Sequence, residues 1–180
     1  WGQWPKMVFS NQAALIGPED DPAGIKNLSN TSMALRRIAD TKSVFIRNNG
    51  PTAGYLSDFL WESAGCPEKG KWFVDNGVKK NDAIELAERQ RAYIVWGAYP
   101  FLRYKKKRGS KLALLVTRDP VLQRIMASVV LNPDKIKGVN IKGAEALQTY
   151  LLSPRVQSQI AAFRSDHINE QVWWPDGRNN

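Results

Sequence analysis

MVFSNQAALIG, residues 7–17, runs straight into PEDDPAG, residues 18–24. The first segment is mostly apolar and predicts a buried strand. The second is rich in Pro, Asp and Gly, and predicts a turn.

Beyond the turn, Thr31 is placed to cap a short helix over Met33–Asp40, with Leu35 and Ile38 facing inward. Ser43–Arg47 (SVFIR) is a short strand of β-formers. Asn48-Asn-Gly-Pro51-Thr52 follows as a turn opening a helix, in which Ala53, Leu56, Leu60 and Ala64 recur at helical spacing until Gly65. Trp72–Val74 is a small strand. Asn81 is placed to cap a helix with Ala83, Ile84 and Ala87 on one face. Ala92–Trp96 (AYIVW) is the next strand, and Gly97 starts a helix that runs into the basic cluster Arg103–Lys111 (RYKKKRGSK). Leu112–Thr117 and Ile125–Leu131 are two further apolar strands. In the last part, Ala144, Leu147 and Leu151 form one helical face, Pro154 breaks the run, and Val156, Ile160 and Phe163 form the next. Strands alternating with helices predict an α/β layered fold with a largely parallel sheet.

The 180 residues suffice to bury a core. Hydrophobic residues at 43% and charged residues at 24% are ordinary for a globular chain and argue against disorder. No apolar run approaches the roughly 18–20 residues of a membrane-spanning helix. The net charge of +9 suits nucleic acid, an acidic surface or an anionic ligand. The chain lacks the aromatic-interleaved basic motifs of nucleic-acid readers, so nucleic acid is not expected as a partner. The basic cluster reads more simply as a solvated helix end, where cations offset the helix dipole.

Catalytic chemistry has little to draw on. The single histidine, His167, lies in a polar stretch after the last periodic helix and is expected at the surface. Cys66 stands alone, which excludes an internal disulfide and a cysteine-based zinc cluster; it is expected to be partly buried. Glu19-Asp20-Asp21 and the pair Glu85 and Glu88 read as solvated charge. No phosphate-binding glycine motif occurs. No catalytic residue, metal or cofactor is expected, and the chain is not read as an enzyme.

One constellation suits an anion. Ser43–Arg47 leads into Asn48-Asn-Gly-Pro-Thr52 and then a helix, whose first N–H groups lack intrahelical partners and carry the positive end of the dipole. The Thr52 hydroxyl and the Arg47 guanidinium would add donors around the same point. The same residues also describe an ordinary strand–turn–helix, with Arg47 in an ion pair to Asp58 or Glu62.

The run Ser10-Asn-Gln12 followed by LIGPEDDPAGI at 15–25 resembles the tungstate-binding proteins of ABC importers. The likeness continues in order through Phe45-Ile-Arg47, Leu60-Trp-Glu-Ser-Ala-Gly65, Gly70-Lys-Trp72, Asp119-Pro120, Val130-Leu-Asn-Pro133, Leu151-Leu-Ser-Pro154 and Trp173-Trp-Pro175, and covers essentially the whole chain. It implies a type II periplasmic-binding-protein fold of the α/β class: the second lobe plus the C-terminal return to the first. The implied organisation is a crossing strand or hinge at 1–17, the second α/β lobe at 18–111, and return strands and C-terminal helices of the first lobe at 112–180. In that family two helix N-termini, hydroxyls and an arginine hold a small oxyanion of the tungstate or molybdate type. Position by position, Arg47 matches the cleft arginine of that family and Thr52 lies near its Ser-Gly-Thr after a shift of about one residue; with Asn48 and Asn49 of the same loop, these are the expected ligand-binding residues.

Departures from the family bear on the ligand. Asn48-Asn-Gly-Pro-Thr-Ala-Gly54 replaces its hydroxyl-rich loop, Ile94-Val-Trp-Gly-Ala-Tyr99 replaces a polar run, and Gln123-Arg-Ile-Met126 replaces an Asn-Pro-Tyr segment. Trp96 would favour a larger or less charged ligand. The resemblance also implies a membrane permease of an ABC importer as partner, and a periplasmic or extracellular location. An N-terminal segment preceding Trp1 is expected to complete the first lobe, and membrane anchoring through it is left open. The rival reading is a sensory or structural interaction module that keeps the fold without transport.

Overall fold

The structure, a computed structural model, describes residues 1–165 and 168–176. Its chain divides into two compact units: Gln12–Gln123, and Trp1–Asn11 together with Arg124–Asn180. His167 lies outside the described residues.

In the larger unit, five strands form one sheet in the order β3-β2-β4-β1-β5. These are β1 (Lys6–Pro18, by its second half), β2 (Phe45–Ile46), β3 (Phe73–Val74), β4 (Tyr93–Gly97) and β5 (Leu112–Val116). Strand β2 runs parallel to β3 and β4, whereas β1 is antiparallel to β4 and β5. The sheet is therefore mixed, not largely parallel. The βαβ connections account for the parallel pairs, but β1 enters from outside that run, and alternation along a sequence carries no sign of its direction.

Four helices cover both faces: α1 (Thr31–Asp40), α2 (Pro51–Ser63), α3 (Lys80–Gln90) and α4 (Ala98–Arg108). Strand alternation divides the apolar side chains between two cores. Ala13, Leu15, Phe45, Tyr93, Val95 and Leu115 meet Leu35 and Ile38 of α1 and Leu56 and Leu60 of α2. Ala14, Ile16, Ile46, Ile94 and Leu112 meet Ala83, Ile84 and Ala87 of α3 and Ala98 and Phe101 of α4. Because both faces are covered, Ala13–Ile16 is buried at every position, which is why it reads as an unbroken apolar run.

The acidic turn after β1 is built around Tyr93. Its buried hydroxyl donates to Asp21 Oδ1 at 2.9 Å and accepts from Ala23 N at 2.8 Å. Asp21 Oδ2 accepts from Lys26 N at 2.7 Å, and Asp21 and Gly24 both take positive φ. At Gly17 a Cβ would stand 2.4 Å from the Tyr93 ring, so only glycine lets this strand and ring approach so closely. The acids here are not merely solvated: Glu19 pairs with Lys105 and Asp20 with Arg91, each at 2.6 Å. Glu88 likewise bonds Ser110 Oγ, and accepts from Lys111 N at 2.8 Å.

Two caps differ from expectation. Asn30, not Thr31, caps α1 by accepting from Met33 N; Thr31 is buried, and its N–H and hydroxyl bond Asp119 Oδ2 at 2.7 and 2.6 Å. Helix α3 begins after Lys79, not Asn81, and the Lys80 N–H is met by the distant Asn48 Oδ1 at 3.1 Å. Cys66 is exposed, because it follows the end of α2 in a tight turn with φ of 50°.

In the smaller unit the first half of β1 pairs with β6 (Gln123–Ser128) and, antiparallel, with β7 (Trp174–Pro175). Helices α5 (Ile141–Leu152) and α6 (Pro154–Ala162) accompany them. Gln157 Nε2 donates to Val8 O at 3.0 Å and Leu151 O at 2.8 Å. Several side chains expected to face inward are exposed: Ile125 at 51%, Leu147 at 57% and Phe163 at 48%. On α5 the buried position is Gln148, which donates to Ser128 O and Oγ.

Candidate functional site

The strand–turn–helix at 45–52 is formed as expected. Strand β2 ends at Ile46, Gly50 takes an extended conformation as N-cap, and Pro51 opens α2 with its φ already helical. Pro51 has no N–H. Gly54 N bonds back to Gly50 O at 2.7 Å, which leaves the N–H groups of Thr52 and Ala53 as the first donors of the helix. Thr52 is exposed, and the first turn carries no acidic residue.

Strand β4 lies parallel beside β2 and repeats the design. It ends at Gly97, which is the N-cap of α4, again with no acid in the first turn. The two helices leave in opposite directions, α2 towards the core on one face of the sheet and α4 towards the core on the other. Adjacent parallel strands whose connections diverge in this way leave a crevice outside their carboxyl ends, the place where ligands of open α/β sheets bind. Here that crevice is bordered by two helix N-termini.

Asn48 holds the crevice together. It is 1% exposed; its Oδ1 accepts from Gly50 N at the start of α2 and Lys80 N at the start of α3, both at 3.1 Å. Its Nδ2 points to Val95 O of β4 at 3.4 Å. One amide thus ties three segments at the same sheet edge. Asn49 is tied as well: its N–H donates to Val78 O at 2.8 Å, its Nδ2 to Asp75 Oδ1 at 2.9 Å, and its Oδ1 accepts from Arg47 Nη1.

Arg47 does form an ion pair with Asp58 of α2. Nε donates to Oδ1 at 2.9 Å and Nη2 to Oδ2 at 2.6 Å, a two-pronged contact, and Asp75 lies 3.8 Å away. The hydrogen bond outweighs the cost of partial burial for both groups, pushing Arg47 up and holding the Asp58 carboxyl below its ordinary range. A Cβ on Gly54 would stand 3.5 Å from Nη2, so the guanidinium lies alongside the first turns of α2. Arg47, Asn48, Asn49 and Thr52 are therefore gathered at one corner, with Thr52 outermost and the asparagine side chains engaged in holding the loop.

The strand-to-helix turn at Gly97 carried the same signal as that at Gly50, a β-rich strand followed by a helix without first-turn acids. Its neighbour relation to β2 had no local signal, because strand order is set by the crossovers. Among the described residues no group of three or more His, Cys, Asp or Glu is placed to hold a metal ion, and no helix is long and apolar enough to cross a membrane.

No family model matches the chain. A curated tungstate-binding protein, TupA of Peptoclostridium acidaminophilum, is 28% identical over 174 residues, which are 95% of this chain and 60% of that protein. A second curated relative, from Haloferax volcanii, is 25% identical over 94% of this chain and 50% of its own. The chain thus spans little more than half the length of these relatives. Among solved structures, the tungstate-binding protein TupA of Desulfovibrio alaskensis G20 superposes with a TM-score of 0.89 at 24% identity, covering 97% of this chain and 71% of the other. The tungstate ABC transporter structure from Geobacter sulfurreducens gives 0.68 at 27% identity, covering 91% and 69%. These likenesses agree with the family resemblance and the α/β fold read from the sequence, and the named relatives are binding and transport proteins, not enzymes.

Proposed function

We propose that this relative of the tungstate-type substrate-binding proteins of ABC transporters captures a small tetrahedral oxyanion and hands it to a membrane permease outside the cytoplasm. The observation that carries this reading is the pair of acid-free helix N-termini, α2 and α4, bordering one crevice at the carboxyl ends of neighbouring parallel strands. Such termini present N–H donors and positive potential to an anion without any chemistry.

In this reading the oxyanion meets the Thr52 hydroxyl and the N–H groups of Thr52 and Ala53, with Ala98 N contributing from α4. Asn48 and Asn49 keep those donors aimed. Arg47 supplies charge from beside the helix and shares it with Asp58, so its hold on the ligand comes partly at the expense of that pair. Trp96, near the end of β4, packs on the α3–α4 side of the sheet, away from α2. Attachment to a membrane through a preceding segment would be compatible with this role.

Calorimetric titration with tungstate, molybdate, sulfate and phosphate tests the reading. Binding of at least one of them, weakened by Thr52→Ala and more strongly by Arg47→Ala, is expected. Absence of binding to all four by a protein that includes both lobes would favour the non-transport interaction module.

A further inference from the structure

The basic residues of this chain are not spread evenly. Residues 79–111 hold ten Lys and Arg against three Asp and Glu, a surplus of seven within a net charge of +9 for the chain. This segment is α3, β4, α4 and the turn that leads into β5. Between α3 and α4 lies a groove of about 310 Å³ whose lining includes Glu85, Trp96, Arg103, Tyr104, Lys107 and Arg108. Arg103 and Tyr104, then Lys107 and Arg108, recur at i, i+4, so one stripe of α4 presents them together.

The acids of the same face do little to neutralise it. Glu88 is turned to Ser110 and Lys111, and Glu85 reaches Arg108 only at 3.7 Å. Lys105 is held by Glu19 at 2.6 Å. Among the described residues Arg103, Lys106 and Lys107 have no carboxylate within ion-pair distance; Arg103 lies 5.8 Å from the centre of the Tyr99 ring. None of the large apolar side chains exposed among the described residues lies on α3 or α4. A face that embeds in a bilayer needs such side chains; a groove with an aromatic wall and unneutralised cations suits carboxylate side chains inserted singly.

We propose that the groove between α3 and α4 is a docking surface for an acidic segment of a protein partner, whose Asp and Glu carboxylates meet Arg103, Lys107 and Arg108 against the rings of Trp96 and Tyr104. This rests on charge complementarity and groove geometry, and stands independently of oxyanion capture.

The test is fluorescence anisotropy of a short fluorescein-labelled glutamate-rich peptide titrated with the whole 180-residue chain, alongside sedimentation with phosphatidylglycerol vesicles. Arg103→Glu/Lys107→Glu should weaken peptide binding by about tenfold or more, and the milder Arg103→Gln/Lys107→Gln by a smaller factor. Lys135→Glu/Lys142→Glu removes the same charge from the smaller unit and should change binding by less than about twofold. An equal loss in the two Glu pairs would show that net charge alone attracts the peptide and would overturn the proposal. So would failure of the unaltered chain to bind the peptide, or vesicle binding lost in Arg103→Glu/Lys107→Glu without any peptide binding, which would assign the face to a membrane.

Discussion

Asn48 has one buried side chain and three backbone partners: Gly50 N, Lys80 N and Val95 O. Replacing it by Ala would leave the buried Gly50 N–H and the partly buried Lys80 N–H without their acceptor. The expected cost is about 1–3 kcal/mol of stability, read as a lower urea midpoint, and a loss of oxyanion affinity because the Thr52 and Ala53 donors lose their alignment. A loss of stability with affinity intact would confine Asn48 to the fold. Arg47 makes the opposite separation possible. Its two-pronged pair with Asp58, whose side chain is 44% exposed, contributes about 1 kcal/mol after solvent screening. Asp58→Asn should therefore lower the melting temperature slightly while raising oxyanion affinity, since the guanidinium charge is then less balanced. Arg47→Ala should weaken binding by roughly one to two orders of magnitude. If Asp58→Asn and Arg47→Ala both change only the melting temperature, Arg47 is structural.

Among elements, the helices were the most legible and their ends the least. Ala83, Ile84 and Ala87 of α3, and Leu35 and Ile38 of α1, are fully buried as their spacing required. The caps misled because the local candidate was not the residue used: Thr31 is drawn away by Asp119, and Asn48 serves α3 from 32 residues upstream. The Asp119 contact carries a pH dependence. Burial alone would raise its carboxyl, but hydrogen bonds from the Thr31 hydroxyl and N–H and from Val121 N hold it below the ordinary range. Its contribution to stability is present above the unfolded value of about 4 and is lost as pH falls through the lower folded value. Stability of the chain should thus fall off below about pH 4, and less steeply in Asp119→Asn, as acid titration followed by circular dichroism would measure. Helices α5 and α6 give a further contrast. The apolar spacing at Leu147 and Phe163 suggested core, yet both are exposed, whereas Val156 is 7% exposed. Leu147→Ser should change stability by less than about 0.5 kcal/mol, and Val156→Ala should cost about 1–3 kcal/mol; an equal cost for both would contradict this burial pattern.

For the molecule as a whole, alternating strands and helices made the α/β class readable, and the order of anchors from Ser10 to Trp174 made the family resemblance readable. The mixed sheet was not, because β1 enters the βαβ run from the smaller unit and periodicity carries no strand direction. The candidate site was half legible. Its residues at 47–52 stood out as a strand feeding a helix, but the second N-terminus at Gly97 became part of the site only once β4 was placed beside β2. That placement is the centre of the account, and it makes a local prediction about this chain. Titrating isotope-labelled protein with tungstate, followed by amide NMR, should shift the signals of Thr52, Ala53 and Ala98 together, along one saturating curve, with the helices of the smaller unit unmoved. Shifts confined to other residues, or none at tungstate concentrations up to about 10 mM, would contradict oxyanion capture at the paired helix N-termini.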